Sequence, residues 1–363
     1  MILPSSRFWD GRQVLVTGHT GFKGSWLVLW LYRLGAEVTG VSLAPPTEPN
    51  LFTAANLHRY CRSVIADIRD YDALRQVVDN NRPEVVFHLA AQPLVRRSYR
   101  DPLQTFATNT QGTANLLEAV RTVSAARVVV AITTDKVYRD DRHGYPFRET
   151  DSLGGHDPYS ASKAAAELVI ASYRDSFLRT NGAAVATARA GNVIGGGDWS
   201  EDRLFPDAVR AWSTEKRLTV RRPEAVRPWQ HVLEPLAGYL RLAERLWEHP
   251  ADSGPYNFGP PPHEATTVRE VMDHAMSGFP GSATDYAESP DGPHETHWLS
   301  LETAKSSRIL GVRSVWPLRK AIDYTVRWYR EYYEGKTPRL LCTRDLELFE
   351  MAAMAPLVES GQD

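Results

Sequence analysis

Tyr159 and Lys163 stand four positions apart in the run Tyr159-Ser160-Ala161-Ser162-Lys163. On a helix that spacing puts a phenol and an ammonium on one face, within reach of each other. A free tyrosine, with a pKa of about 10, is a useless base near neutrality. A nearby ammonium and a positively charged cofactor ring both favour the phenolate, and moving it to about pH 7 takes roughly 4 kcal/mol. Such a pair suits reversible hydride removal from an alcohol carbon. Alone it would read more simply as a solvated helix face, but a glycine loop precedes it in the chain.

That loop is Gly18-His19-Thr20-Gly21-Phe22-Lys23-Gly24, directly after an apolar run and at the start of a helical pattern. Glycines there permit a tight turn and close backbone approach to a pyrophosphate, and the helix start offers free N–H groups. Gly18, Thr20, Gly21, Phe22, Lys23 and Gly24 are therefore the expected cofactor cradle, in GxxGxxG rather than GxGxxG spacing. The second apolar run ends at Ser42-Leu43-Ala44, with no carboxylate for an adenosine ribose and no arginine for a 2′-phosphate. NAD is expected over NADP, with Asp67 and Ile68 at the adenine edge.

Thr133-Thr134-Asp135-Lys136 lies where another apolar run ends. A hydroxyl at that edge, Thr134, can hold a reacting alcohol. A partly buried carboxyl, Asp135, acts as an acid when its surroundings favour the neutral form. Simple oxidation needs no such acid, whereas a dehydration does, because hydroxide must depart as water. The plain alternative is a polar loop opening with a surface ion pair. Further along, Arg203, Arg227 and His231 are the substrate-side candidates, since a guanidinium matches diphosphate oxygens in a planar fork. The eleven histidines show no metal-ligand spacing. No metal is expected; His88 reads as a satisfied strand-end residue and His294-Glu295 as structural.

The elements that must position these groups alternate. Gln13–Thr17, Glu37–Leu43, Glu84–Leu89 and Arg127–Thr133 are continuous Val/Leu/Ile-rich runs, as strands buried on both faces require. Lys23–Leu34, Tyr71–Asn80 and Thr105–Val123 carry helical patterning between them. The fold class is α/β: a Rossmann-type doubly wound parallel sheet with ligands at the carboxyl edge of its strands. A long helix should run from Asp157-Pro158 to about Asn181. After Ala190 the chain turns glycine-, tryptophan- and proline-rich, which marks a smaller, loop-rich α/β substrate lobe. The expected division is 1–190 for the NAD-binding part, with later segments returning to it, 191–346 for the lobe, and 347–363 for a C-terminal tail that frays from Ser360. Leu318–Tyr333 reads as a helix with an aromatic face.

Composition agrees with a globular enzyme: 363 residues, 42% apolar, 24% charged and a net charge of −2. That charge gathers neither nucleic acid nor anionic membrane. Two distant cysteines, Cys61 and Cys342, no signal-like start and no apolar run long enough for a bilayer imply a soluble, cytoplasmic protein.

Together, several strings resemble CDP-glucose 4,6-dehydratases of the extended short-chain dehydrogenase/reductase family, from about Arg12 to Leu346. They are Gly18–Gly24 with Ser25-Trp26-Leu27, His88 to Val95, Thr134-Asp135-Lys136, Gly154 to Tyr159, Ala190 to Trp199 and Arg227 to Pro235. The resemblance implies an NAD-retaining cycle on a sugar nucleotide. Tyr159, aided by Lys163, takes the C4 hydroxyl proton as hydride passes to NAD; water leaves from C6 with Asp135 as acid; hydride returns to C6. It further implies cofactor contacts at Ala90, Ala91, Gln92 and Asn109. On the substrate side it implies diphosphate contacts at Asn192 and Arg227, with Arg96 in the same group, and a homodimer or homotetramer through helix pairs.

The chain departs from the family at Ala44, where an Asp is usual, and in the loop Arg139 to Phe147, which follows the catalytic strand and is expected to close over the sugar. Lys136 stands where other extended short-chain dehydrogenases usually carry Glu, so the C5 base is open between Lys136, Tyr159 and water. Two other readings stand beside the 4,6-dehydratase: a related NAD-retaining enzyme acting on a different sugar or nucleoside, by 5,6-dehydration that leaves an exocyclic alkene or by epimerisation, and a catalytically idle NAD-binding scaffold.

Overall fold

The computed structural model describes residues 1–123, 125–139, 144–288 and 299–355. His294-Glu295, residues 140–143 of the loop after Tyr138, and the end of the chain from Ser360 lie outside the described residues. Seven strands form one parallel sheet: β1 (Gln13–Thr17), β2 (Glu37–Ser42), β3 (Arg62–Ile65), β4 (Val85–His88), β5 (Val128–Ile132), β6 (Ala184–Ala190) and β7 (Gly254–Phe258). Their order is β7-β6-β5-β4-β1-β2-β3. Every residue of β5 and β6 is buried, so neither alternates. The chain leaves β1 toward one sheet edge and β4 toward the other, which opens a crevice at the carboxyl ends of these two strands.

Helix starts follow local chemistry. Asp157 caps the Pro158–Tyr173 helix by accepting from the Ser160 N–H at 3.0 Å, and proline fits its first position. A π-turn, Arg174–Leu178, carries that helix on toward Gly182. The expected Thr105–Val123 helix is three pieces instead: Pro102–Phe106, a π-turn at Ala107–Gln111 and Gly112–Val123. The widened turn lets Asn109 face the loop after β4, while Gly112 lies where a Cβ would stand 2.6 Å from Ile68.

One buried cluster, around Leu15, Leu74 and Leu116, fills one face of the sheet, and two others tie the sheet to the lobe. The larger holds Trp26 and Trp30 of the Phe22–Arg33 helix with Tyr239, Tyr256, Trp316 and Trp328. The lobe has its own, built on Phe205, Trp212, Trp229, Met272 and Ile322. The helix Leu233–Glu248 and strand β7 rejoin the sheet layer. Helix Leu318–Tyr333 bridges the two cores, giving Ile322 and Val326 to the lobe and Trp328 and Tyr329 to the larger one.

Of the segment expected as a tail, residues 347–354 continue helix Pro338–Met354, because Phe349 packs edge-on against Trp30 and Trp316 and, with Leu341 and Leu346, is buried in the larger core. Phe349→Ala should therefore cost about 3–5 kcal/mol of unfolding free energy, while Met351→Ala on the exposed face of the same helix stays within about 0.5 kcal/mol. Denaturant titration of both variants checks this.

Candidate active site

A cleft of about 1230 Å³ runs along the carboxyl edge of the sheet and into the lobe. At one end lies the glycine turn. Gly18 has φ +77°, and a Cβ there would stand 2.7 Å from the Ala90 nitrogen; a Cβ on Gly24 would stand 2.1 Å from the Gly18 carbonyl oxygen. Only glycine allows this close packing. Gly21 starts the Phe22–Arg33 helix with no side-chain cap, leaving N–H groups free to meet an anion. A dinucleotide pyrophosphate fits that cradle.

At the adenosine end, Thr20 hydrogen-bonds the Ser42 hydroxyl and the Leu43 carbonyl, both at 2.9 Å. An arginine does stand here, contrary to the reading of strand two alone: Arg69 arrives from the loop after β3. It is engaged with Asp67, donating from its backbone N–H and its Nε at 2.9 Å each. That guanidinium holds the Asp67 carboxyl below its ordinary range.

The chemical centre joins a helix to a strand end. Tyr159 and Lys163 come from the Pro158–Tyr173 helix, and Thr134, Asp135 and Lys136 from the turn after β5. Ser98 accepts the Tyr159 backbone N–H at 3.2 Å and so satisfies a helix-start donor. The Thr134 side chain hydrogen-bonds the Tyr159 phenol, and its hydroxyl donates to Asp135 Oδ1 at 3.0 Å. Lys136 Nζ donates to the same oxygen at 3.2 Å and to Asn192 Oδ1 at 3.4 Å. Asp135 is fully buried, and its Oδ2 has no partner. Gly191 leaves room beside that oxygen, where a Cβ would come within 3.3 Å.

The charges differ from the expectation built on Lys163. Burial, with Asp135 and Asp157 nearby, pushes the Tyr159 phenol up to about 12, against the Thr134 hydrogen bond and Arg203. The Lys163 ammonium instead donates to the Ile132 carbonyl at 3.1 Å, and burial lowers it to about 8. Desolvation lowers Lys23 to about 7, with Arg203, Lys163 and Lys136 pushing the same way and Asp135 opposing. A cationic nicotinamide and an anionic diphosphate would each relieve part of this imbalance.

Gly18, Thr20, Gly21, Phe22, Lys23, Gly24, Asp67, Ile68, Ala90, Ala91 and Gln92 all line the cleft. So do Thr134, Asp135, Lys136, Tyr159 and Lys163, and on the lobe side Arg96, Asn192, Arg203 and Arg227. Two expected residues do not. Asn109 lies behind the wall, where its amide accepts from the Gln92 N–H at 2.8 Å and donates to Ser162 at 2.9 Å. It shapes the cofactor loop rather than touching the cleft. His231 is buried between Trp26 and Trp316, and its Nδ1 accepts the Leu233 N–H at 3.3 Å, so helix capping and aromatic packing claim it.

His88 is satisfied as expected, between Thr17 at 2.7 Å and Thr113 at 2.9 Å. At the far end of the Arg139–Phe147 loop, Phe147 stacks on Tyr138, a residue of the cleft wall, with centroids 4.9 Å apart. Sequence reading missed Arg69, Asp202, Arg221 and Arg222 on the cleft wall; only the Arg221-Arg222 doublet offered a signal. Among the described residues, no group of three His, Cys, Asp or Glu could hold a metal ion.

The sequence pattern of the NAD dependent epimerase/dehydratase family matches residues 14–259. A CDP-glucose 4,6-dehydratase of Salmonella typhimurium is 44% identical over 343 residues, covering 93% of this chain and 95% of the relative. A UDP-glucose 4-epimerase of Mycolicibacterium smegmatis is 29% identical, over 88% of this chain and 98% of its own. Among solved structures, a dTDP-glucose 4,6-dehydratase from Streptomyces venezuelae with NAD and TYD bound aligns with a TM-score of 0.74 at 26% identity, covering 90% of this chain and 99% of that one. A UDP-glucose-4-epimerase from Stenotrophomonas maltophila with bound NAD aligns at 0.79 and 22% identity, covering 90% and 100%, a likeness of fold. With its glycine cradle and its Tyr159/Lys163 helix, the chain belongs to the NAD-dependent epimerase/dehydratase family, and its cofactor is NAD.

Proposed function

We propose that this enzyme converts CDP-glucose to CDP-4-keto-6-deoxyglucose and restores its NAD in each turnover. The observation that carries this reading is Asp135: a fully buried carboxyl with one oxygen unpartnered, hydrogen-bonded through Thr134 to Tyr159. An epimerase needs the phenol alone; a dehydratase also needs an acid for the leaving hydroxyl. When bound, NAD supplies the reversible acceptor for the hydride that leaves C4 and is delivered to C6.

The chain's own groups handle protons. Tyr159 takes the proton of the C4 hydroxyl, and Thr134 holds that oxygen. The C4 ketone then makes the C5 proton acidic; Lys136, Tyr159 or a water takes that proton as the C6 hydroxyl leaves and returns it to C5 as C6 is reduced. Asp135 protonates the C6 hydroxyl, which departs as water. Tyr159, Thr134 and Asp135 form a hydrogen-bonded route by which the C4 hydroxyl proton reaches the departing oxygen, and the proton count closes at one water lost. Lys136, whose Nζ hydrogen-bonds both Asp135 and Asn192, orients the acid. Arg203, Arg227 and Arg96 on the lobe side supply positive charge for the diphosphate.

The outward faces of Pro102–Val123 and Pro158–Tyr173 expose Leu103, Phe106 and Leu168 on packed neighbouring helices. We assign this face to a homodimer, which sedimentation of the intact protein should register at twice the monomer mass; a monomer at micromolar concentration contradicts it. A tetramer would pair two such dimers. The free cysteines Cys61 and Cys342 suit a reducing cytoplasm.

Incubation with CDP-glucose deuterated at C4, without added cofactor, tests the reaction. Deuterium recovered at C6 of a 4-keto product is the expected result. Deuterium back at C4 of an alkene or an epimer contradicts the assignment, and absence of any turnover points to an idle NAD-binding protein.

A further inference from the structure

Behind the cleft, one buried ion pair touches both halves of the chemical centre. Glu167 lies on the catalytic helix, one turn beyond Lys163 and two beyond Tyr159, so all three share a face. Its Oε1 accepts from the Thr133 hydroxyl at 2.6 Å and from Arg189 Nε at 2.9 Å. Its Oε2 accepts from Thr187 and from Arg189 Nη2, both at 2.9 Å. Each side chain of the pair is only 4% exposed. Arg189 Nη1 goes on to the Tyr138 hydroxyl at 2.9 Å and the Glu149 carbonyl at 3.2 Å, and Tyr138 donates to Asn257 at 2.7 Å.

Thr133 and Tyr138 are the two ends of the turn that carries Thr134, Asp135 and Lys136. The Glu167–Arg189 pair therefore grips that turn at both ends while standing on the helix that carries Tyr159 and Lys163. A buried pair is weak evidence for stability, since two apolar side chains of similar volume often serve a core as well. Its geometry here fixes register: among the described residues no other side chain of the catalytic helix hydrogen-bonds both β6 and the residue that follows β5.

We propose that Glu167 and Arg189 are positioning residues for the dehydration step, a clip that sets the Asp135 turn against the Tyr159–Lys163 helix. The inference rests on the dehydratase reading. Oxidation at C4 needs Tyr159 and Lys163, which share one helix and keep their spacing without the clip, and Thr134, which is tied to that helix directly by its hydrogen bond to the Tyr159 phenol. Loss of water needs Asp135, on the other element, aimed at C6 of the same sugar. Loosening the clip should slow the second step more than the first.

Glu167→Gln would leave Arg189 buried against a neutral partner and risks unfolding. Thr133→Val and Tyr138→Phe, which remove one hydroxyl at either end of the turn, are the variants to use. In single turnovers with CDP-glucose, absorbance of the reduced nicotinamide reports the first step and release of 4-keto product reports the whole. Each variant should form reduced cofactor within about twofold of the wild-type rate and release product about tenfold more slowly, with KM unchanged. Thr133→Ser should restore product release. Equal slowing of both steps, or no change in either variant, overturns the clip. Wild-type protein that forms no 4-keto product overturns instead the dehydratase reading beneath it.

Discussion

The site depends on how one helix is registered against the end of one strand. Tyr159 and Lys163 are fixed to each other by helix geometry, and Thr134 and Asp135 by their place in a turn after β5. Nothing in either element alone sets the distance between the two pairs. Three ties do: Thr134 to the Tyr159 phenol, Lys163 to the Ile132 carbonyl, and, from the same helix, the buried carboxylate of Glu167, which meets Thr133 after the strand and Arg189 from β6. Parallel strands make this possible: β5 and β6 end side by side, so a helix lying across them can bond to both.

Around that register the protein places charge it cannot itself satisfy. Lys23, Lys136, Lys163 and Arg203 converge near Asp135, with Asp198 on Arg203 and Glu167 behind Lys163, and burial still lowers Lys23 and Lys163. The glycine turn adds uncapped N–H groups at a helix start. A phenol held near 12 is a poor base, and Tyr159 approaches service only when positive charge enters beside it. Cofactor and diphosphate thus complete an electrostatic arrangement that the chain leaves open.

Much of this is legible in the sequence because its signals are local. Continuous apolar runs locate β1, β2, β4 and β5 to within a residue or two, and helix Leu318–Tyr333 is found with its observed bounds. The glycine turn and the Tyr159/Lys163 spacing are read from neighbours in the chain. What escapes is set by tertiary contact. His231 sits in a motif rich in candidate ligands, yet Trp26 and Trp316, remote in sequence, bury it. Asn109 faces away from the cleft because a π-turn rotates it. Arg69 reaches the adenosine end from another strand, and helix Pro338–Met354 is ordered by tryptophans from two other elements. Glu167 carries no motif at all. Its role exists only once β5, β6 and the helix are assembled.

The central claim is that Asp135 separates water loss from simple oxidation. Asp135→Asn keeps the shape and the hydrogen bond from Thr134 but removes the transferable proton. In a single turnover with CDP-glucose this variant should still generate reduced nicotinamide, while release of the 4-keto-6-deoxy product falls at least about a hundredfold. Release at the wild-type rate would show that the proton for the leaving hydroxyl comes from elsewhere, and would contradict the account.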